Sequence, residues 1–282
     1  MANDRSMIIG LLDWMQTPAG RYLLAWEQAQ IDAHVSDVFG FNALQLGLPA
    51  MDALRHNRMR NRWLAVERPV LATSAAQASA MPTLVRPALH CDFDALPFPS
   101  QSLDLVVLPH ALELASDPHQ TLREVERVLM PEGRVVIVGF NPASLWSLRQ
   151  RAGRLHRGIG FARSKPLFLP PGGDFIGYWR LRDWLRLLSF EVERGRFGCY
   201  RPPFASEAWL ARFGWMESWG YRWWPVFGAV YFLVAVKRVR GMRLIGLAKR
   251  ERSKAHAAPA VVANRRRERH LSIEQDDKGI SR

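Results

Sequence analysis

The sequence predicts an α/β protein, with a largely parallel sheet of short strands covered by helices on both faces. Three observations carry this prediction. Short apolar runs alternate with segments of helical periodicity: FNALQLG (41–47), RWLAVE (62–67), ALHCDF (88–93), LDLVVL (103–108) and GRVVIVGF (133–140). LVVL and VVIV are apolar at every position, as strands covered on both faces should be, whereas a half-exposed strand would alternate. The helix-like segments carry start and stop signals, which points to right-handed crossover units.

In chain order, MANDRSMIIGLLDWMQTP has an apolar patch interrupted by Asp13, with no small-residue cleavage site after it. It does not resemble an export signal, and a cytoplasmic protein is expected. TPAGRYLLAWEQAQIDAHVSDVF predicts a helix over about 18–38, with Thr17 as N-cap and Pro18 at the first helical position. Leu23, Leu24, Ile31, Val35 and Val38 recur at near-helical spacing, with Trp26 and Glu27 between them. DPHQTLREVERVLMPEG predicts the clearest helix: Asp117 caps it, Leu122, Val125, Val128 and Leu129 form one stripe, and Pro131 and Gly133 end it. RLRDWLRLLSF (180–190) predicts another, followed by a strand near 190–198. A Trp/Arg-rich loop is expected over 201–224 and a last strand over 230–237. The longest apolar run, Trp224 to Val236, has 13 residues, short of the roughly 20 a spanning helix needs. It is expected to be a buried strand.

The formal net charge is +13. From Lys237 onward 14 Lys and Arg face 5 Asp and Glu, so that segment supplies +9 and the preceding residues only +4. Low apolar content and dense charge predict a disordered basic tail over 240–282, whose RRRERH cluster (265–270) would associate weakly with RNA or an anionic membrane. Two cysteines, Cys91 and Cys199, give neither a disulfide framework nor zinc spacing, and no metal is expected. There is no G-x-S-x-G, H-E-x-x-H or P-loop pattern, and no [DN]-P-P-[YF] signature, since the candidate place has LPHA.

The most informative segment is 91–142. Asp92, Leu96-Pro97-Phe98, Asp104-Leu105-Val106, Arg127-Val128-Leu129, Pro131 and Gly133 follow one another in fixed order and spacing. As a set they resemble the class I S-adenosylmethionine-dependent methyltransferases of methyltransferase type 11, the group that includes the ubiquinone and menaquinone C-methyltransferases. The resemblance covers 41–142 well and 180–239 more loosely. It implies a Rossmann-like, seven-strand mixed sheet with S-adenosylmethionine as cofactor. The expected organisation is an N-terminal helical extension (1–40), a methyltransferase domain (41–239) with substrate or lid insertions at 143–180 and 199–228, and the tail.

In such a sheet ligands collect beyond the C-terminal ends of the strands, where strand order reverses. Asp92 is placed to accept a hydrogen bond from the adenine amino group, the Phe93 N–H to donate to a ring nitrogen, and the Phe93 ring to flank the purine. Alternatively Asp92 is only a strand-end turn or cap. The family has an acidic residue and two or three glycines after its first strand; here Gln45 and Gly47 stand in that place. Glu67, 20 residues beyond Gly47, is placed to bind ribose hydroxyls, or is a solvated strand-end carboxylate. Pro109 and His110 are expected at the lip above the methionine end, where His110 contacts substrate or takes its proton, or is purely structural. Asp104 is chiefly architectural in the family.

The expected function is methyl transfer to an unknown acceptor, small or lipid-like. The chemistry asks mainly for positioning and exclusion of water, not for a catalytic triad. The alternatives are a non-catalytic binding or regulatory protein on the same fold, and an RNA methyltransferase. Many of the tryptophans fall in the two insertions; Trp209, Trp215, Trp219, Trp223 and Trp224 either pack a lid over the core or present a surface to a base, a lipid interface or a partner.

Overall fold

A computed structural model describes residues 10–67, 85–158, 168–170 and 175–238. The basic tail predicted over 240–282 therefore lies outside the described residues, as do parts of the N-terminal and 143–180 segments. Seven strands form one sheet: β1 (Asn42–Leu46), β2 (Asn61–Val66), β3 (Leu89–His90), β4 (Leu103–Pro109), β5 (Leu129–Phe140), β6 (Phe190–Gly198) and β7 (Val230–Lys237). Their spatial order is β3-β2-β1-β4-β5-β7-β6. β1 to β5 run parallel, and β7 runs antiparallel to both β5 and β6.

Consecutive residues of the central strands bury on opposite faces. Leu105 and Val107 of β4 join one core with Ala43, Val136 and Val138, while Val106 and Leu108 join the other with Leu44, Leu46 and Ile137. The first face is covered by helix α1 (Pro18–Val35), through Leu23, Ile31 and Val35, which are fully buried. The second is covered by α3 (Pro118–Val128) and α5 (Tyr178–Leu187), through Leu122, Val125, Leu181 and Leu185. Between β4 and α3 lies the single turn α2 (Ala111–Leu114), and α4 (Leu145–Gly158) follows β5. The all-apolar runs are buried from both sides, as expected for the middle of such a sheet.

Local chemistry accounts for several of these elements. Thr17 caps α1 by accepting the Gly20 N–H at 3.1 Å, and Asp117 caps α3 by accepting the N–H groups of His119 and Gln120. Asp104, at the start of β4, accepts the N–H groups of Phe41 and Asn42 at 2.8 and 2.9 Å, which registers β4 against β1. Arg127 donates to the carbonyls of Leu96 and Phe98, both at 2.9 Å, and Glu124 accepts the Leu96 N–H at 3.0 Å. The Leu96-Pro97-Phe98 and Arg127-Val128-Leu129 motifs are thus two halves of one clamp. Lys237 at the end of β7 is buried, its Nζ donating to the carbonyls of Glu126 and Leu129 and pairing with the Glu126 carboxylate at 2.9 Å. That places a cation at the C-terminal end of α3, where the helix dipole favours it.

Three expectations change. ALHCDF forms only a two-residue strand, because the chain turns at Asp92, whose carbonyl accepts the Ala95 N–H. α3 ends at Val128, and β5 starts at Leu129, so Pro131 and Gly133 lie within the strand. The Trp/Arg-rich stretch expected as a loop holds two short helices, α6 (Glu207–Arg212) and α7 (Met216–Trp223), and the apolar run after it enters β7 only at Val230. The connection from β1 to β2, where a crossover helix is usual, contains no helix. Met51, Ala53 and Leu54 of that connection pack into the first core instead.

Candidate functional site

The strand order reverses between β1 and β4, so the C-terminal ends of these two strands and of β2 and β3 define the crevice where a ligand would sit. Three turns converge there. The first follows β1 and holds Gly47 at φ 78°, its N–H bonded to the Ala65 carbonyl at 2.8 Å. A methyl group added at Gly47 would lie 3.5 Å from Ala111, after β4, and 3.8 Å from the Phe93 ring, after β3. These are ordinary contacts, so glycine is favoured here by the backbone conformation more than by crowding.

Gln45 explains the shape of the first turn. Its side chain is 2 % exposed. Its amide nitrogen donates to the carbonyls of Gly47, Leu48 and Met51 at 3.2, 3.1 and 2.9 Å, and its oxygen accepts the Ala53 N–H at 2.9 Å. One neutral amide therefore ties together four backbone groups of the segment after β1, its two N–H groups shared among three carbonyls. An acidic residue at this position has acceptors only and cannot bind those carbonyls.

The end of the crevice beside β2 and β3 is polar. Glu67 is half-buried just beyond β2, and Asp92 is exposed two residues beyond β3, on neighbouring strands whose last paired residues are Val66 and His90. The two carboxylates therefore stand at adjacent strand ends. Phe93 is 4 % exposed and belongs to the second core, beside Leu96 and Ala111. Its ring stands inside the crevice floor, against Gly47.

The lip after β4 is closed as well. Pro109 is buried as the last residue of β4, opposite Val138. His110 follows at φ 55°, its N–H bonded to the Val138 carbonyl at 2.9 Å, and is 0 % exposed. His110 was expected at the lip above the methionine end, either touching substrate or purely structural. It is held between two buried carboxylates, Nε2 at 2.8 Å from Glu27 of α1 and Nδ1 at 2.8 Å from Glu113 of α2. The Phe140 ring lies 4.4 Å from the imidazole, and Trp14 and Phe175 pack on Phe140.

Burial alone would lower the His110 pKa, but the adjacent Glu27 and Glu113 outweigh it and push it up to about 10. Burial raises the Glu27 carboxyl above its ordinary range, against the opposing pull of His110. Glu113 also accepts the Phe140 N–H, so both its oxygens have donors, whereas Oε2 of Glu27 is buried without a partner. His110 thus holds a proton and fastens α1 to the sheet.

Sequence reasoning did not find Gln45's staple or the two partners of His110. Glu27 did leave a signal: Leu23, Glu27 and Ile31 are spaced by four, which puts a carboxylate on the buried stripe of α1. Among the described residues no group of His, Cys, Asp and Glu could hold a metal ion.

A family model for a methyltransferase domain matches residues 54–137, beginning after β1 and Gly47. The chain is 31% identical over 180 residues to the uncharacterized protein YafS of Escherichia coli K12, covering 64% of this chain and 65% of that protein. It is 45% identical over 69 residues to a malonyl-[acyl-carrier protein] O-methyltransferase of Halorhodospira halophila, covering 24% and 23% of the two chains. The matches thus span about two thirds of the first relative and under a quarter of the second. Among solved structures, a SAM-dependent methyltransferase of Thermotoga maritima, titled a possible histamine N-methyltransferase, superposes with a TM-score of 0.51 at 15% identity, covering 78% of this chain and 91% of that one. The strand order and the superposition give this chain the Rossmann-like class I methyltransferase fold, and residues 54–137 within it match a methyltransferase domain.

Proposed function

We propose that the chain binds S-adenosylmethionine and transfers its methyl group to a small or lipid-like acceptor. The observation that carries this reading is the convergence of the turns after β1, β3 and β4 on Gly47 at the switch point of the sheet. The polar half of the crevice fits the cofactor's nucleoside: Glu67 would accept from ribose hydroxyls and Asp92 from the adenine amino group. Phe93 would support the purine from the crevice floor. The cofactor supplies an already electrophilic methyl group, so the chain's own task is to hold the two reactants in line and keep water out. His110, protonated and enclosed, would act here by fixing the lip through Glu27 and Glu113. The relatives' names support methyl transfer, and they do not agree on an acceptor.

A second reading, a binding or regulatory protein without catalysis, is favoured by the turn after β1. Gln45 consumes the backbone groups of 47–53, and Phe93 lies against Gly47 where the methionine portion would approach. Calorimetry with S-adenosylhomocysteine separates the two. Binding is expected, weakened about tenfold by Asp92→Ala and by Glu67→Ala, the value of one hydrogen bond to a charged group. No heat at millimolar ligand from the folded protein would leave the second reading standing.

A further inference from the structure

Tryptophan is costly to expose, yet Trp209, Trp215, Trp219, Trp223, Trp224 and Phe227 are each at least half exposed. Three of them make a ridge: Trp215, Trp219 and Trp223 recur every four residues along α7 and are 55 %, 57 % and 64 % exposed. The opposite side of α7 is anchored. Glu217 accepts the Tyr22 hydroxyl and the N–H groups of Cys199 and Tyr200, and Gly220 packs so closely on Tyr200 that an added methyl would lie 2.3 Å from its ring. The helix is therefore held with its tryptophans outward, and they do not serve as a lid packed on the core. Alongside, Trp146 of α4 bonds the Arg201 carbonyl at 2.7 Å, and α4 turns Leu145, Leu148 and Arg151 to solvent.

The charge around this face is predominantly positive. Arg212 and Arg222 are exposed, Glu217 points inward, and Glu207 is exposed but faces Arg21 at 3.7 Å. Some of the rings pack on one another. Phe213 stacks on Phe204 and on Trp209, and Trp215 meets Trp219 edge-on at 89°. Half-exposed indoles, each an apolar body with an N–H donor, next to exposed arginines suit the headgroup layer of a membrane. Position adds to this. Gly198 and Val230, the two ends of the segment, pair with each other, and Val230 also pairs with Phe140 at the C-terminal end of β5. The aromatic face thus leaves the sheet at the same end as the crevice.

We propose that this face docks on the surface of an anionic lipid bilayer, with the tryptophans at headgroup depth and the arginines on lipid phosphates. Exposed apolar rings beside unopposed basic residues are the combination by which a protein lies on a membrane without crossing it. The docking does not depend on cofactor binding, so its test is separate from the calorimetry.

The test uses the full chain with vesicles of phosphatidylcholine, with and without phosphatidylglycerol, read by sedimentation and by tryptophan emission with bromine-labelled acyl chains. Co-sedimentation with the anionic vesicles only, with blue-shifted and bromine-quenched emission, is expected. Replacing Trp215, Trp219 and Trp223 together by Ser should abolish the quenching and lower the partition at least about tenfold without moving the urea midpoint, since these side chains are exposed. Arg212→Gln and Arg222→Gln should each cost about fivefold on anionic vesicles. The proposal is overturned by absence of co-sedimentation at low salt, by binding without quenching that the triple variant retains, which is charge attraction elsewhere in the chain, or by tighter binding to RNA than to vesicles at equal salt.

Discussion

The turn after β1 and the turn after β4 stand side by side at one end of the sheet, and each is closed by a buried polar side chain. They are closed by different physics. At the first, the neutral amide of Gln45 meets four backbone groups and is fully satisfied. At the second, His110 joins two carboxylates, and Oε2 of Glu27 has no partner. A satisfied amide is insensitive to pH and yields only when the segment unfolds. A buried charged cluster is sensitive to every proton it gains or loses. The crevice therefore has one rigid wall and one titratable wall.

The sharpest way to break the contrast is at the charged wall. His110→Ala leaves two carboxylates facing each other without a cation, and should cost about 3–5 kcal/mol in urea denaturation. The pH dependence carries the same signature. His110 is more basic folded than unfolded, so its stabilisation is complete below about 6.5 and is lost as pH rises towards about 10. Glu27→Gln removes one of the two charges that raise His110 and should move this loss to lower pH; an unchanged pH profile would mean that the cluster is not charged in this way.

At the neutral wall, Gln45→Leu keeps the volume roughly but strands buried carbonyls and an N–H. A loss of about 2–3 kcal/mol is expected, with no pH dependence of its own. The smallest effect belongs to Gly47→Ala, about 1–2 kcal/mol, because the left-handed conformation is strained for alanine while the methyl group meets no clash. If Gly47→Ala leaves S-adenosylhomocysteine affinity intact, the glycine serves the turn; a much weaker affinity would show that the cofactor passes over it.

Much of this frame was legible in the sequence because it rests on periodicity and end signals. The strands near 190–198 and 230–237 and the Asp117-capped helix follow from local pattern alone, and the role of Asp104 from the resemblance to the family. The clamp between Arg127 and the Leu96–Phe98 segment was visible only as a recurring motif, since its partners lie about thirty residues apart in sequence. The chemistry of the two walls was less legible. Gln45 looked like a substitution for an acid, and its meaning depends on four backbone groups whose positions no local rule gives. For His110 a structural role and a substrate contact stay open in the sequence, because its partner Glu27 comes from a helix 83 residues earlier. The Trp-rich stretch was mistaken for a loop because short helices of aromatic residues carry little periodic contrast.

The pairing of β7 with both β5 and β6 has a consequence for how the chain assembles. Among the described strands the latest in sequence fills an interior slot, so during synthesis two open strand edges must wait until residues 230–237 have emerged. Until then β5 and β6 present unpaired backbone and bare apolar faces, the condition in which chains cross-pair with one another. A polypeptide cut before Val230 would be an aggregating species rather than a smaller working protein. Lys237, bolted onto the end of α3, marks the point at which the sheet is finally sealed.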